Sequence, residues 1–305
     1  MAGWGTIGLL TLHAGASPIT IAAWRCAFAV VALLILCGAT GAFRASVYTR
    51  RAVLLTLIGG AALVANWVFL FQAFQSTTLT IATVSYHTEP FFLVALGALA
   101  ARRLPAAREL GLLVGALAGL LLATRFVTPD GLAVQDGSWA GVTAALAAGA
   151  LYAVATFLAR ETEGLHPQVM TLIQCALGAA VLLPFADNLD WSGPDWLWIA
   201  TMGLVHTGLL YWVLYTTVKK LSVAVVAGLS FINPAVAVLT DVAIYHRAPT
   251  IAQSVGIALI VGATLAITLL PQPPASTEER SLRRRDNIRE SERPVRQASE
   301  VATID

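Results

Sequence analysis

The amino-acid sequence predicts an all-α integral membrane protein with ten transmembrane helices, arranged as two inverted repeats of five helices. Three observations lead to this prediction: the apolar composition, ten apolar segments, and short motifs that recur in both halves. Of the 305 residues, 57% are hydrophobic and 12% are charged, and the mean hydropathy is +0.75. Soluble domains carry about 25% charged residues, so the composition excludes a soluble globular protein.

Apolar segments separated by short polar breaks define the candidate helices. They cover residues 1–13, 18–41, 51–75, 77–100, 107–125, 137–160, 166–186, 194–217, 220–245 and 250–271. Nine of them are long enough to cross a bilayer, which takes about 20 apolar residues. The first segment reaches only about 20 Å. We therefore expect either that the natural start lies upstream or that the first helix is incomplete.

The distribution of basic residues predicts the orientation in the membrane. With a cytoplasmic amino terminus, only Arg125 and Arg247 fall in external loops. The cytoplasmic loops then contain Arg44, Arg50, Arg51, Arg102, Arg103, Arg108, Arg160, Lys219 and Lys220. Because Lys and Arg concentrate in cytoplasmic loops, both termini are predicted to be cytoplasmic. Residues 272–305, which contain seven Arg and seven acidic residues, are predicted to form a disordered charged tail.

Short motifs recur in the same order in the two halves. Residues 79–82 (LTIA) match residues 221–224 (LSVA) at an offset of 142, Pro90 matches Pro234 at 144, and Pro18 matches Pro167 at 149. Each half has five segments, so the second half enters the membrane from the opposite side. The predicted repeats are residues 1–125 and 137–271. Such repeats form alternating-access transporters whose broken helices line a substrate site near the midplane, which predicts helix breaks around Pro90 and Pro234.

Several motifs within residues 1–271 also carry a family resemblance. They are Ser17-Pro18 before Trp24-Arg25, residues 73–82 (AFQSTTLTIA), Glu89-Pro90 and Asn233-Pro234. In these features the chain resembles EamA-type members of the drug/metabolite transporter superfamily. The resemblance implies a secondary transporter of a bacterial inner membrane that exports small metabolites, amino acids or drug-like solutes.

The alternative is a membrane protein that does not transport, either a degenerate family member or a partner-binding subunit. The short first segment favours this alternative. So does a second departure from the family pattern: the Gly-Glu pairs that members often carry before the last helix of each half are absent. Those places read Ala101-Arg102-Arg103 and Tyr245-His246-Arg247.

Glu89 is the first candidate for the transport site. It lies near the middle of segment 77–100, where an ionised carboxylate costs about 2.5–3.5 kcal/mol. It is predicted to accept a proton or to pair with a cationic group of the solute, unless it is a protonated carboxyl that bonds to a neighbouring helix. His87 is a candidate proton relay, although residues two apart do not share a helix face. Asn233, the counterpart of Glu89 in the second half, suits hydrogen bonding to a polar solute.

Other polar and aromatic residues within the segments complete the candidate cavity. Arg25 lies about 10 Å into the second segment, where it either attracts anionic solute groups or has a structural role, with its charge reaching outward. Each remaining residue either lines the cavity or packs between helices. These residues are Tyr86, Asn66, Trp67, Gln174, Tyr152, His206 and Tyr211.

Signatures of enzymes and metal sites are missing from the sequence. It contains no phosphate loop, no His-Glu-x-x-His and no Gly-x-Ser-x-Gly, so catalysis is not expected. The three cysteines are isolated in apolar segments and are predicted to be small hydrophobes, with no metal or cofactor. The expected partners are a small-molecule solute, the lipid bilayer and protons as a coupling ion, and no nucleic acid. Gly115 and Gly119 predict close helix packing, either within the chain or in a homodimer.

Overall fold

A computed structural model describes residues 2–102, 104–124, 126, 138–189, 193–245 and 250–269. All regular secondary structure in these residues is helical, which confirms the all-α prediction. Residues up to Leu269 pack as one unit. The predicted tail and three residues of the orientation argument, Arg103, Arg125 and Arg247, lie outside the described residues.

The helices follow the predicted apolar segments along the chain. A 3₁₀ helix (Ala2–Thr6) leads into α1 (Ile7–His13), α2 (Pro18–Thr40), α3 (Ala42–Ala45), α4 (Arg50–Ser76), α5 (Leu79–Tyr86), α6 (Glu89–Ala101) and α7 (Ala107–Ala123). The second half contains α8 (Ser138–Glu161), α9 (Pro167–Leu182), a 3₁₀ turn (Leu183–Phe185) and α10 (Asp195–Thr201). A π-helix (Met202–Leu209), α11 (Leu210–Thr217), a 3₁₀ turn (Val218–Lys220), α12 (Val223–Ser230), α13 (Ile232–Tyr245) and α14 (Ile251–Leu269) complete it.

Six helical stretches in the described part of the chain are long and apolar enough to span a membrane. They are Pro18–Thr40, Arg50–Ser76, Trp139–Glu161, Pro167–Phe185, Asp195–Lys220 and Ile251–Leu269. Their number and composition identify a multi-pass membrane protein. The remaining apolar segments form shorter or interrupted helices, so the number of nine spanning segments stays a prediction. The ten-helix inverted repeat stays a prediction.

Two predicted spans are divided in the structure. Segment 77–100 consists of α5 and α6, and segment 220–245 consists of α12 and α13. Both breaks precede the prolines: Pro90 is the second residue of α6, and Pro234 is the third residue of α13. Each proline therefore lies in the first turn of the helix that follows its break. The physical reason is that proline has a helical φ and lacks an N–H, both of which suit a first helical turn.

Helix α7 packs directly against α14 through two glycines. A Cβ on Gly119 would lie 2.7 Å from the carbonyl oxygen of Gly256, whereas a Cβ on Gly115 would meet nothing within 4 Å. The close approach at Gly119 is therefore a contact within the chain. Of the two predicted alternatives for Gly119, packing within the chain or packing in a homodimer, the structure shows the first.

Candidate functional site

One cavity in the described part of the chain is surrounded by polar and aromatic side chains. Its volume is about 50 Å³, which holds only a few water molecules. Sites for small organic ligands are larger, at roughly 300–1,000 Å³, so a solute can enter only if the surrounding helices separate. The lining residues are Trp4, Ile7, Arg25, Asn66, Trp67, Leu70, Tyr86, His87, Glu89, Tyr152, Tyr211, Ser230 and Asn233.

Nine of the eleven predicted site residues line this cavity. They are Glu89, His87, Asn233, Tyr86, Asn66, Trp67, Tyr152, Tyr211 and Arg25. The two others, Gln174 and His206, are not among the lining residues, although His206 contacts Trp4, which is. Gln174 accepts a hydrogen bond from the hydroxyl of Tyr215 (2.7 Å). His206 is hydrogen-bonded through Nε2 to the Thr6 hydroxyl (2.9 Å) and through its carbonyl to the indole of Trp4.

Glu89 begins α6 at the first helix break. Its side chain is buried, and Oε1 has no hydrogen-bond partner. Ser230 lies beside this carboxyl from the end of α12. An unpaired carboxyl oxygen at a cavity can accept a proton or a donor group of a solute.

Glycine in α8 permits the close packing around this break. A Cβ on Gly149 would lie 2.7 Å from the carbonyl oxygen of Tyr86 and 3.5 Å from the Cβ of Glu89. The preceding residue, Ala148, accepts a hydrogen bond from the side-chain amide of Asn66 (2.7 Å). Helices α4 and α8 are therefore bonded to each other, and α8 packs against one side of the first break.

His87 lies in the break itself and does not pair with Glu89. Its Nδ1 donates to the carbonyl oxygen of Thr83 (2.7 Å). The imidazole ring lies 6.1 Å from the ring of Phe231, measured between centroids. Phe231 is the residue at which α12 gives way to α13, so the two helix breaks meet at this ring contact.

Arg25 is fully buried in α2 and is held by one hydroxyl. Its Nε and Nη2 both donate to Oγ1 of Thr207, at 2.9 and 2.7 Å. The guanidinium carbon lies 4.5 Å from the centre of the Trp67 ring and 5.4 Å from that of Phe71. Such cation–π contacts offset part of the cost of burial. Because Arg25 is enclosed, the predicted alternative in which its charge reaches outward to the membrane surface is wrong.

The π-helix brings Thr207 to this position. A Cβ on Gly203, in the same π-helix, would lie 2.6 Å from the carbonyl oxygen of Arg25, so only glycine allows α2 to approach so closely. The Thr207 hydroxyl donates to the carbonyl of Met202 (2.9 Å), five residues earlier, as π-helical spacing allows. π-Helical turns frequently occur at functional sites.

Sequence reasoning missed Trp4, Ser230 and Thr207. Ser230 could have been found, since it follows Tyr86 by the same offset of 144 that relates Pro90 to Pro234. Trp4 lies in the short first segment, and its ring contacts Tyr211 with 5.2 Å between centroids. No sequence signal marks Thr207, because its role depends on how the π-helix faces α2.

The Thr207 contact gives a first testable prediction. We expect Thr207→Val to lower the free energy of unfolding by about 2–3 kcal/mol, because hydrogen bonds to a charged group contribute about 1.5–3 kcal/mol and their loss leaves a buried cation less satisfied. Thermal unfolding in detergent measures this. The matched control is Thr216→Val, whose hydroxyl is exposed and bonds only to its own helix, with an expected change of about 0.5 kcal/mol or less. Equal effects of the two substitutions would contradict the prediction.

A multi-pass helical protein with broken helices around a polar cavity has the features of a membrane transporter, and comparisons with known proteins identify the family. Residues 1–125 and 139–269 match the EamA-like transporter family. The chain therefore belongs to the EamA-like transporter family, as the resemblance of its motifs predicted.

Relatives and a solved structure agree with this assignment. The chain is 30% identical over 270 residues to an uncharacterised transporter, YxxF, of Bacillus subtilis (strain 168), covering 88% of this chain and 86% of the relative. It is 24% identical over 262 residues to an uncharacterised transporter of Archaeoglobus fulgidus, covering 86% and 90%. A crystal structure with 20% sequence identity superposes with a TM-score of 0.71 over 87% of this chain and 93% of the other, which shows a shared fold.

Proposed function

We propose that this protein is a secondary transporter that moves small solutes through the described cavity by alternating access. The observation that carries the proposal is that two helix breaks, at His87 and Phe231, meet at a cavity in which Glu89 Oε1 and Arg25 Nη1 have no partners. Broken helices with unpaired polar groups near a repeat interface are the usual substrate sites of secondary transporters. A purely structural polar cluster would be expected to satisfy its own hydrogen bonds.

Contacts between the two halves support the inverted repeat. The Ser17 and Thr20 hydroxyls at the start of α2 donate to Oδ2 of Asp187, which follows α9 (3.2 and 3.0 Å). The reciprocal contact joins the start of α9 to the residues after α3, where the N–H of His166 donates to the Ser46 hydroxyl (3.0 Å). The start of α2 thus bonds to the segment that follows α9, and the start of α9 bonds to the segment that follows α2 and α3. Two repeats related by a two-fold axis are expected to make such reciprocal contacts.

The finer features of the function belong to the same proposal. The repeats are residues 1–125 and 137–271, and both termini face the cytoplasm of a bacterium whose inner membrane contains the protein. The exported solutes are small metabolites, amino acids or drug-like compounds, with protons as the coupling ion and Glu89 as the proton acceptor. The cavity alternates between the two sides as the repeats rock around the breaks. A homodimer is a further part of the hypothesis that solution measurements of mass can test.

Flux through the purified protein tests the proposal. We expect proteoliposomes with an imposed pH gradient to accumulate at least one solute from a panel of radiolabelled amino acids, organic acids and cationic drugs. The matched controls are protein-free vesicles and vesicles in which an ionophore has collapsed the gradient. Absence of flux for every solute, with protein that is folded in the same vesicles, would favour the non-transporting alternative.

A further inference from the structure

The guanidinium of Arg25 has no counter-ion. Within the described residues no carboxylate lies within ion-pair distance of it, and its Nη1 is buried with no hydrogen-bond partner. Glu89 lines the same cavity, but its own Oε1 is also without a partner, so no hydrogen bond joins this oxygen to Arg25. Burial of a cation without an anionic partner is strongly unfavourable, so the position of Arg25 points to a ligand or a use.

The contacts of Thr207 determine which N–H groups of the Arg25 guanidinium remain without an acceptor. The single hydroxyl proton of Thr207 is used on the carbonyl of Met202, so both lone pairs of its oxygen are available to Nε and Nη2 of Arg25. The aromatic rings of Trp67 and Phe71 cover the guanidinium but accept no conventional hydrogen bond. The π-helix therefore fixes one edge of the guanidinium and leaves the Nη1 end with two unused N–H groups.

We propose that Nη1 of Arg25 is an anion subsite and that the transported solute is a small organic anion or carries a carboxylate that binds there. This deepens the proposed function and rests on it. Arginine is suited to this role, because it is always charged and its planar donors match the geometry of a carboxylate. The carboxylate provides the charge and the acceptors that Arg25 lacks, and the aromatic residues of the cavity contact the remainder of the solute.

The small volume of the cavity explains why the subsite is closed here. At about 50 Å³, the cavity does not admit a solute, and the guanidinium is fully enclosed. Separation of the helices around the cavity opens the volume that Arg25 lines. The anion then compensates the buried charge in the open cavity, so that binding favours the widened arrangement over the closed one.

Matched pairs of carboxylates and neutral amides test the subsite in the full-length, detergent-purified protein. The probes are sodium benzoate against benzamide, phenylacetate against phenylacetamide, and propionate against propionamide, at constant ionic strength adjusted with sodium chloride. We expect at least one carboxylate to raise the unfolding temperature by roughly 2–4 °C at ten times its Kd, and its amide to leave the temperature unchanged. This comparison uses the wild type alone, so it holds even if a variant of Arg25 fails to fold.

Variants then assign the effect to Arg25. We expect Arg25→Gln to raise the concentration needed for half of the shift by roughly tenfold or more, because a charge-assisted hydrogen bond is lost. Arg108→Gln removes an exposed arginine at the start of α7 and is the matched control, which should keep the shift. Equal shifts with amides, no shift with any carboxylate, or an unchanged shift in Arg25→Gln would overturn the anion subsite.

Flux in proteoliposomes separates this inference from the proposed function. If a solute is transported equally well as the carboxylate and as the amide, and equally by Arg25→Gln, the transporter stands and the anion subsite is refuted. If carboxylates bind through Arg25 but none crosses the membrane, the subsite stands and transport is refuted.

Discussion

Glu89→Gln is expected to reduce solute transport driven by a pH gradient to the level of protein-free vesicles, while the protein stays folded. Glutamine has nearly the same shape as a protonated glutamic acid and can still bond to Ser230, which lies beside the carboxyl. It cannot release or accept the coupling proton. Because carboxyl groups within membrane spans commonly serve as proton carriers, a transporter that depends on Glu89 should lose coupling and keep its fold.

Two further measurements make the Glu89 prediction specific. Exchange of labelled for unlabelled solute, without any gradient, should persist in Glu89→Gln, because the amide mimics the protonated state that carries solute. Glu161→Gln, at the exposed end of α8, is the matched control and should transport like the wild type. Gradient-driven accumulation that survives intact in Glu89→Gln would exclude Glu89 as the coupling group.

Gly256→Val is expected to prevent correct packing of α14 against α7. A Cβ at this position would lie 2.4 Å from the backbone nitrogen of Ala123 and 2.5 Å from the carbonyl oxygen of Gly119. Both contacts are with backbone, which cannot rotate away as a side chain can. Overpacking of a core typically costs about 1–3 kcal/mol, and we expect at least the upper end here because the two helices would have to separate.

The control for Gly256→Val lies on the same helix. A Cβ on Gly262 would meet nothing within 4 Å, so Gly262→Val makes the same chemical change without a clash. Thermal unfolding in detergent and the yield of folded protein from membranes should fall for the first variant and change little for the second. Similar losses in both would mean that helix propensity, and not the contact between α7 and α14, determines the effect.

The class of the protein and the ranges of its helices could be predicted from the sequence because both depend on local composition. A run of about 20 apolar residues satisfies its backbone hydrogen bonds as a helix wherever it lies in the membrane. Polar residues within such runs are costly, so Glu89, His87 and Arg25 could be recognised one by one. The offset of 144 also pointed to Asn233, and it would have pointed to Ser230.

The tertiary structure decided what these residues contact, because contacts depend on how each helix is rotated and how closely it approaches its neighbours. Gln174 and His206 have the same polar character as Asn66, yet the first bonds to Tyr215 and the second to Thr6. The breaks fall before Pro90 and Pro234, and the absence of a side chain at Gly149 lets α8 approach the carbonyl of Tyr86 at the first of them. The pairing of Arg25 with Thr207 joins residues 182 positions apart through a π-helix, and no local pattern in the sequence determines such a contact.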